Sequence, residues 1–205
     1  QSVTWTELEQ ATNRLARAYA EHGVKANDFV TIGLPNGVEF FEACFAVWKL
    51  GATPQPVSAK LPAFERAQIV DLASPSLVVG APAEEHPEFK VLQAGFKPGD
   101  HHEHHPLPEM IADTYKAMTS GGSTGRPKLI VATTPAKFDI DEDRFRFKQQ
   151  GSVLIPGPLY HNGPFIWAMV ALFRGNQVTV TTRFDAEQTL RIFEEERVDS
   201  VYMVP

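Results

Sequence analysis

Ten consecutive residues, Thr119-Ser120-Gly121-Gly122-Ser123-Thr124-Gly125-Arg126-Pro127-Lys128, carry the densest chemistry in this chain. The glycines Gly121, Gly122 and Gly125 let the backbone approach a ligand closely, and their amides can form a concave nest that suits an anion. Thr119, Ser120, Ser123 and Thr124 add hydroxyl donors, while Arg126 and Lys128 add positive charge. Small size, permissive backbone and many donors describe a grip for phosphate groups. A plain Gly/Ser turn would explain a few such residues, but not a run of this length ending in Pro-Lys.

Two other motifs overlap the same residues. A Walker A loop needs glycine directly before its lysine and a helix after it. Pro127 holds that place, and Leu129-Ile130-Val131 favours a strand. Gly121-Gly122-Ser123-Thr124-Gly125 also satisfies G-x-S-x-G, which would make Ser123 a hydrolase nucleophile on a strand-to-helix turn. Pro127 disfavours helix at Arg126, and the residues beyond again prefer extended structure. The serine-hydrolase reading is the lesser alternative.

The surrounding pattern supplies the scaffold. Thr6-Glu7-Leu8-Glu9 fits a capping box, followed by Leu8, Ala11, Leu15 and Ala18 at helical spacing until Gly23. Strands are expected at Phe29–Leu34, Ala52–Pro56, Leu77–Val79, Leu129–Val131, Ser152–Ile155, Gln177–Thr181 and Ser200–Val204. Helices are expected at Glu39–Leu50, Pro62–Ala73, Asn162–Phe173 and Ala186–Glu196. Ala81 to Pro108 is rich in Pro, Gly and His without a period, and reads as a long surface loop. Strands alternating with helices predict an α/β fold with mostly parallel sheets.

Composition narrows the function class. The 205 residues carry a net charge of −6, so no strongly basic field draws nucleic acid or an anionic membrane. Cys44 is the single cysteine, which excludes an intrachain disulfide and favours a reducing, cytoplasmic setting. The longest apolar run, Phe165 to Phe173, is far short of the ~20 residues of a membrane span. Asp100-His101-His102-Glu103-His104-His105 holds good metal-ligand types. Neighbours on one loop rarely converge on an ion, and no second ligand cluster stands elsewhere in sequence, so no metal site is assigned there. Glu194-Glu195-Glu196 reads as a solvated helix face, and Trp167 and Met169 as core.

The glycine loop resembles the phosphate-binding signature of the adenylate-forming superfamily, the acyl-CoA synthetases and their relatives, roughly T-S-G-[ST]-T-G-x-P-K. Thr4-Trp5-Thr6-Glu7-Leu8 with Asn13-Arg14-Leu15-Ala16, Leu34-Pro35-Asn36, Lys49-Leu50-Gly51-Ala52 and Pro158-Leu159-Tyr160-His161-Asn162-Gly163 resemble further family segments. So does Phe184-Asp185 through Val201-Tyr202-Met203-Val204-Pro205. Two departures stand out: Gly121 where Ser is usual, and Leu129 where Gly often follows the Lys. The Gly-Gly-Ser-Thr-Gly-Arg-Pro-Lys-Leu-Ile version is similar to a bile-acid or fatty-acid CoA ligase branch.

The resemblance implies an ATP-dependent acid–thiol ligase. Such an enzyme activates a carboxylic acid as acyl-adenylate and passes it to coenzyme A, releasing AMP and pyrophosphate. Thr119, Ser120, Gly121, Gly122, Ser123, Thr124, Gly125 and Lys128 would form the loop that holds the ATP phosphates. His161 matches the position beside the carboxylate and acyl pocket, its alternative being a satisfied histidine at a helix start. Mg²⁺ is implied as well. The family's Mg²⁺-holding acidic residue, ribose-binding Asp and mobile Lys come from segments not found here; Pro98-Gly99-Asp100 is the nearest look-alike and lacks the Thr. The expectation is therefore an incomplete N-terminal adenylation domain over 1–205, with sub-lobes 1–118 and 119–205, inactive by itself. A non-catalytic nucleotide-binding fragment is the alternative.

Overall fold

The first helix, α1 (Trp5–Glu21), begins one residue after Thr4. Thr4 Oγ1 accepts from the Glu7 amide at 3.2 Å, and the Glu7 carboxylate accepts from the Thr4 amide at 2.7 Å. The capping box therefore sits two residues earlier than Thr6-Glu9, because Thr4-Trp5-Thr6-Glu7 has the same S/T-x-x-E spacing. The computed structural model describes residues 1–120, 127–141 and 145–204. These fall into two compact units: 1–34 with 38–137, and 35–37 with 138–205.

The first unit is built on a parallel sheet of order β2-β1-β3-β4. Its strands are β1 (Phe29–Ile32), β2 (Thr53–Pro56), β3 (Leu77–Val79) and β4 (Val91–Leu92). Helices α2 (Val38–Lys49) and α3 (Ala63–Ala73) lie between the first three strands in sequence, as connections between parallel strands require. Helix α2 packs on β1 and β2, and α1 packs on α2, burying Leu8, Leu15, Tyr19, Phe40, Cys44 and Val47.

Two prolines fit strand β2 because only alternate amides face β1. Thr53 N donates to Asp28 O at 2.8 Å and Val57 N to Ile32 O at 2.9 Å. Pro54 and Pro56 fall between these donors, on an edge strand where a missing N–H costs no ladder bond.

The expected loop from Ala81 to Pro108 is not wholly irregular. It contains a 3-10 turn at Ala83–Glu85 and the strand β4. The free edge of β3 explains β4: Val78 N donates to Lys90 O at 2.9 Å and Gly80 N to Leu92 O at 2.7 Å. Phe89 and Val91 then pack against the buried cluster of Val70, Val78 and Ala81. The unit closes with an antiparallel hairpin, β5 (Ala117–Ser120) and β6 (Lys128–Val131).

The second unit centres on β7 (Ser152–Ile155), every residue of which is buried. It lies between β8 (Gln177–Val180) and β9 (Ser200–Val201) in a parallel sheet. The closing strand is shorter than the expected 200–204. Helix α4 (Asn162–Phe173) packs on β7 and β8, and α5 (Ala186–Glu195) follows with Asp185 as its side-chain cap. Buried Asn176 joins the pieces: its Oδ1 accepts from Gly151 N at 2.8 Å and its Nδ2 donates to Ala171 O at 3.1 Å. No helix among the described residues is long and apolar enough to cross a membrane.

Candidate functional site

The glycine loop is carried by the hairpin. Thr119 and Ser120 end β5, and Lys128 opens β6, with Ser120 and Lys128 directly paired in register. The ten-residue segment thus enters and leaves through neighbouring strands. A strand at Lys128 does not meet the helix requirement of either a Walker A loop or a nucleophile elbow. Gly121, Gly122, Ser123, Thr124, Gly125 and Arg126 lie outside the described residues.

The base of the hairpin is fixed by a polar chain through the sheet. Thr31 Oγ1 donates to Gln55 Oε1 at 2.6 Å, and both side chains are fully buried. Gln55 Nε2 in turn donates to Thr119 Oγ1 at 2.9 Å. Because the Thr119 oxygen accepts there, its hydroxyl proton stays available for another acceptor. Nothing in the pattern of Thr53-Pro54-Gln55-Pro56 flagged Gln55. The signal would have been a long amide facing the inside of a buried strand, which needs partners on both ends.

Further bonds hold the approach to β5. Thr53 Oγ1 donates to Thr114 O at 2.9 Å, and Trp48 Nε1 donates to Tyr115 O at 2.8 Å. Lys116, only 4% exposed, lies with its ammonium 5.1 Å from the Tyr115 ring centroid. Burial pushes that ammonium down to about 8. Lys128, by contrast, is exposed at the hairpin mouth, where it can meet an anionic ligand.

His161 belongs to the second unit, at the start of α4. Its backbone does the capping: its N–H donates to Pro158 O at 3.1 Å, and its carbonyl accepts from Phe165 N at 3.0 Å. The side chain makes no capping bond, is exposed, and lies against Tyr160 with ring centroids 4.3 Å apart and the planes tilted by 44°. The Pro158–His161 segment is pinned by Asn36. Asn36 Oδ1 accepts from Leu159 N, and its Nδ2 donates to Gly157 O and Thr181 O, each at 2.9 Å.

Behind it, Trp167 meets Phe145, Phe147 and Tyr202 at centroid distances of 4.5, 5.2 and 5.5 Å. The Trp167 indole N–H is buried without a partner among the described residues, while Met169 is core. Gly163 is required by close approach: a Cβ there would lie 2.0 Å from the Tyr202 hydroxyl.

The family model for AMP-binding enzymes matches residues 1–205. The chain belongs to that family. Among relatives of this chain is the putative acyl-CoA ligase YdaB of Bacillus subtilis, 26% identical over 233 residues, covering all of this chain and 45% of the relative. The long-chain-fatty-acid–CoA ligase FadD13 of Mycobacterium tuberculosis is 25% identical over 218 residues, covering 96% of this chain and 43% of the relative.

The fold matches the o-succinylbenzoate CoA synthetase MenE from Bacillus subtilis, solved with its acyl-adenylate intermediate OSB-AMP. The TM-score is 0.80 at 22% identity, over 98% of this chain and 55% of that one. The same enzyme in complex with ATP and magnesium ion matches with a TM-score of 0.78, over 98% of this chain and 57% of that one. This chain therefore spans about half the length of each of these relatives.

Proposed function

We propose that this chain is the incomplete N-terminal adenylation domain of an ATP-dependent acid–thiol ligase, its β5–β6 hairpin carrying the phosphate loop. The observation that carries the reading is the hairpin, which brings Thr119, Ser120 and Lys128 to the two ends of a Gly- and hydroxyl-rich connection. The substrate is a carboxylic acid, and coenzyme A is the acceptor thiol. The names of the ligases among its relatives and the fold of MenE support the same choice.

The chemistry divides into two displacements. A carboxylate oxygen attacks the α-phosphorus of ATP, the bond to the pyrophosphate oxygen breaks, and acyl-adenylate forms. A thiolate then adds to the acyl carbon and AMP leaves with the bonding electron pair. In the first step the leaving pyrophosphate must be fixed in line and its growing charge met by preorganised donors. Backbone amides of Gly121, Gly122 and Gly125, the hydroxyls of Ser120, Ser123 and Thr124, and the Lys128 ammonium are the donors this chain offers. Thr119, held by Gln55, positions the start of the loop. His161 takes the place beside the reacting carboxylate.

Magnesium would neutralise phosphate charge, and among the described residues no Asp or Glu stands on β5 or β6 to hold it. Among the described residues, no grouping of three or more His, Cys, Asp or Glu ligand atoms includes a residue of β5 or β6.

The test is Thr124→Ala with Lys128→Ala in the full-length protein, supplied with ATP and a panel of carboxylic acids. Each donor lost to a charged phosphate costs roughly 1.5–3 kcal/mol. Pyrophosphate release should fall at least a hundredfold with little change in melting temperature, and unchanged release would sink the phosphate assignment. His161→Ala should instead change the ranking of accepted acids with ATP use nearly intact. Equal losses for every acid, with a lower melting temperature, would make His161 a packing residue.

A further inference from the structure

The loop that carries the histidine run is strapped along α1. Asn13 Nδ2 donates to His104 O at 2.8 Å, Arg17 Nη1 to Glu103 O and His105 O at 3.1 and 2.8 Å, and Arg14 Nη2 to Gly99 O at 3.3 Å. This path carries His101 and His102 to the last turn of α1, where Glu21 ends the helix. One ligand atom each from Glu21, His101 and His102 lies within 4.8 Å of the other two. In sequence Glu21 is 80 residues from His101, so the run alone gave no sign of it.

The internal arrangement is that of a metal ligand set. His102 has a side chain only 6% exposed, and its Nδ1 lies 3.1 Å from Gly99 O. A carbonyl can only accept, so Nδ1 carries a proton there and Nε2 is the ring atom turned toward Glu21. That Nε2 is buried and, among the described residues, has no hydrogen-bond partner of good geometry, although it lies 3.0 Å from Glu21 Oε2. A carboxylate this close to Nε2 calls for a cation between them, either a proton on the ring or a metal ion that both groups ligate. A ligating imidazole whose other ring nitrogen donates to a backbone carbonyl is also the usual way a protein fixes a metal-binding histidine.

Distances agree with that placement. Glu21 Oε1 is 3.4 Å from His101 Nε2. Two ligands about 2.0–2.1 Å from a tetrahedral ion are separated by roughly 3.3 Å. His101 stacks on His102 with ring centroids 4.0 Å apart, and its ring crosses Gly99 so closely that a Cβ there would lie 2.7 Å away. The C-terminal end of α1 adds partial negative charge to the same spot. Exposed faces of Glu21 and His101 leave room for water as a fourth ligand. The positive neighbour, Arg14, is drawn to Asp100 at 3.5 Å.

We infer that Glu21, His101 and His102 form a site for a zinc-type divalent ion that clamps the 98–105 loop to the end of α1. Two imidazoles and one carboxylate favour Zn²⁺ over Mg²⁺, which prefers oxygen ligands. The site is separate from the phosphate loop and does not depend on the proposed ligase reaction. Gly99 is a positioning residue: its carbonyl orients His102 and its missing side chain admits His101.

Calorimetric titration of the full-length protein with Zn²⁺ tests this. One equivalent should bind saturably and raise the melting temperature, and Mg²⁺ in its place should do neither. Glu21→Gln and His102→Ala should each weaken Zn²⁺ at least tenfold, while His104→Ala with His105→Ala should change it less than twofold. Glu21 is exposed at a helix end, so its variant keeps the test decisive even should His102→Ala fail to fold. Absence of saturable binding, or an equal loss in the His104/His105 variant, would overturn the inference and leave only chelation by a surface histidine run.

Discussion

Gln55 reaches from β2 to Thr119 on β5 with a 2.9 Å hydrogen bond, linking the parallel sheet to the strand that enters the glycine loop. The same amide accepts from Thr31, its register partner on β1. One side chain therefore satisfies two hydroxyls in the interior. Removing it leaves Thr31 Oγ1 buried without its acceptor, a desolvation cost with nothing in return.

Gln55→Ala should accordingly lower stability by about 1–3 kcal/mol, read from the urea midpoint at constant slope. The loss should shrink when Thr31→Val is made in the same chain, since the orphan hydroxyl is then gone. Additive losses in the double variant would show that the polar chain is not one unit.

Gly163 gives a prediction of opposite sign to helix propensity. Ala in place of Gly inside a helix ordinarily gains up to about 1 kcal/mol. Here the new Cβ would lie 2.5 Å from Tyr202 Cζ as well as 2.0 Å from its hydroxyl, against a rigid ring. Gly163→Ala should lower the melting temperature in the wild-type background. In a Tyr202→Ala background the same change should become neutral or stabilising. A stabilised single variant would mean that the ring simply moves aside.

Lys116 ties stability to pH. Its folded ammonium is pushed down to about 8 by burial, from an ordinary 10.5. Below pH 8 both states hold the proton and the folded chain carries the full cost of the buried charge. Between pH 8 and 10.5 the unfolded chain holds a proton that the folded chain has lost, so this residue adds stability as pH rises. The swing is roughly 3 kcal/mol. Burial of the Tyr19 hydroxyl and Cys44 thiol raises both, which acts in the opposite direction above their ordinary range. The comparison must therefore be with Lys116→Met: wild type minus variant should climb between pH 8 and 10.5, and parallel curves would contradict the burial argument.

Local signals explain what could be read from sequence. Helix α4 was legible to the residue because Asn162 to Phe173 is apolar and Gly175 follows it. Helix α2 and strand β7 were legible for similar reasons. Strand β4 was not: Val91 and Leu92 have no period to show, and become a strand only because β3 offers an open edge. The phosphate loop stood out since its residues are contiguous. Gln55, Asn36 and Glu21 were silent because each acts through partners 24 to 145 positions away, and spacing in sequence says nothing about such pairs.

The three bonds of Asn36 decide where this protein can be cut. Its partners at Gly157, Leu159 and Thr181 belong to a unit whose remaining residues begin at 138, yet Asn36 is translated 121 residues before Gly157. A gene fragment starting at residue 138 would encode the whole second sheet and still omit the side chain that satisfies two of its carbonyls and one of its amides. During synthesis the ribosome delivers the bolt long before the parts it fastens, so the second unit cannot finish folding as an independent tail. Dissection by expression should respect that dependency: a piece containing residues 138–205 needs the tripeptide Pro35-Asn36-Gly37 returned to it, by linkage or by circular permutation, before it will behave as a folded body.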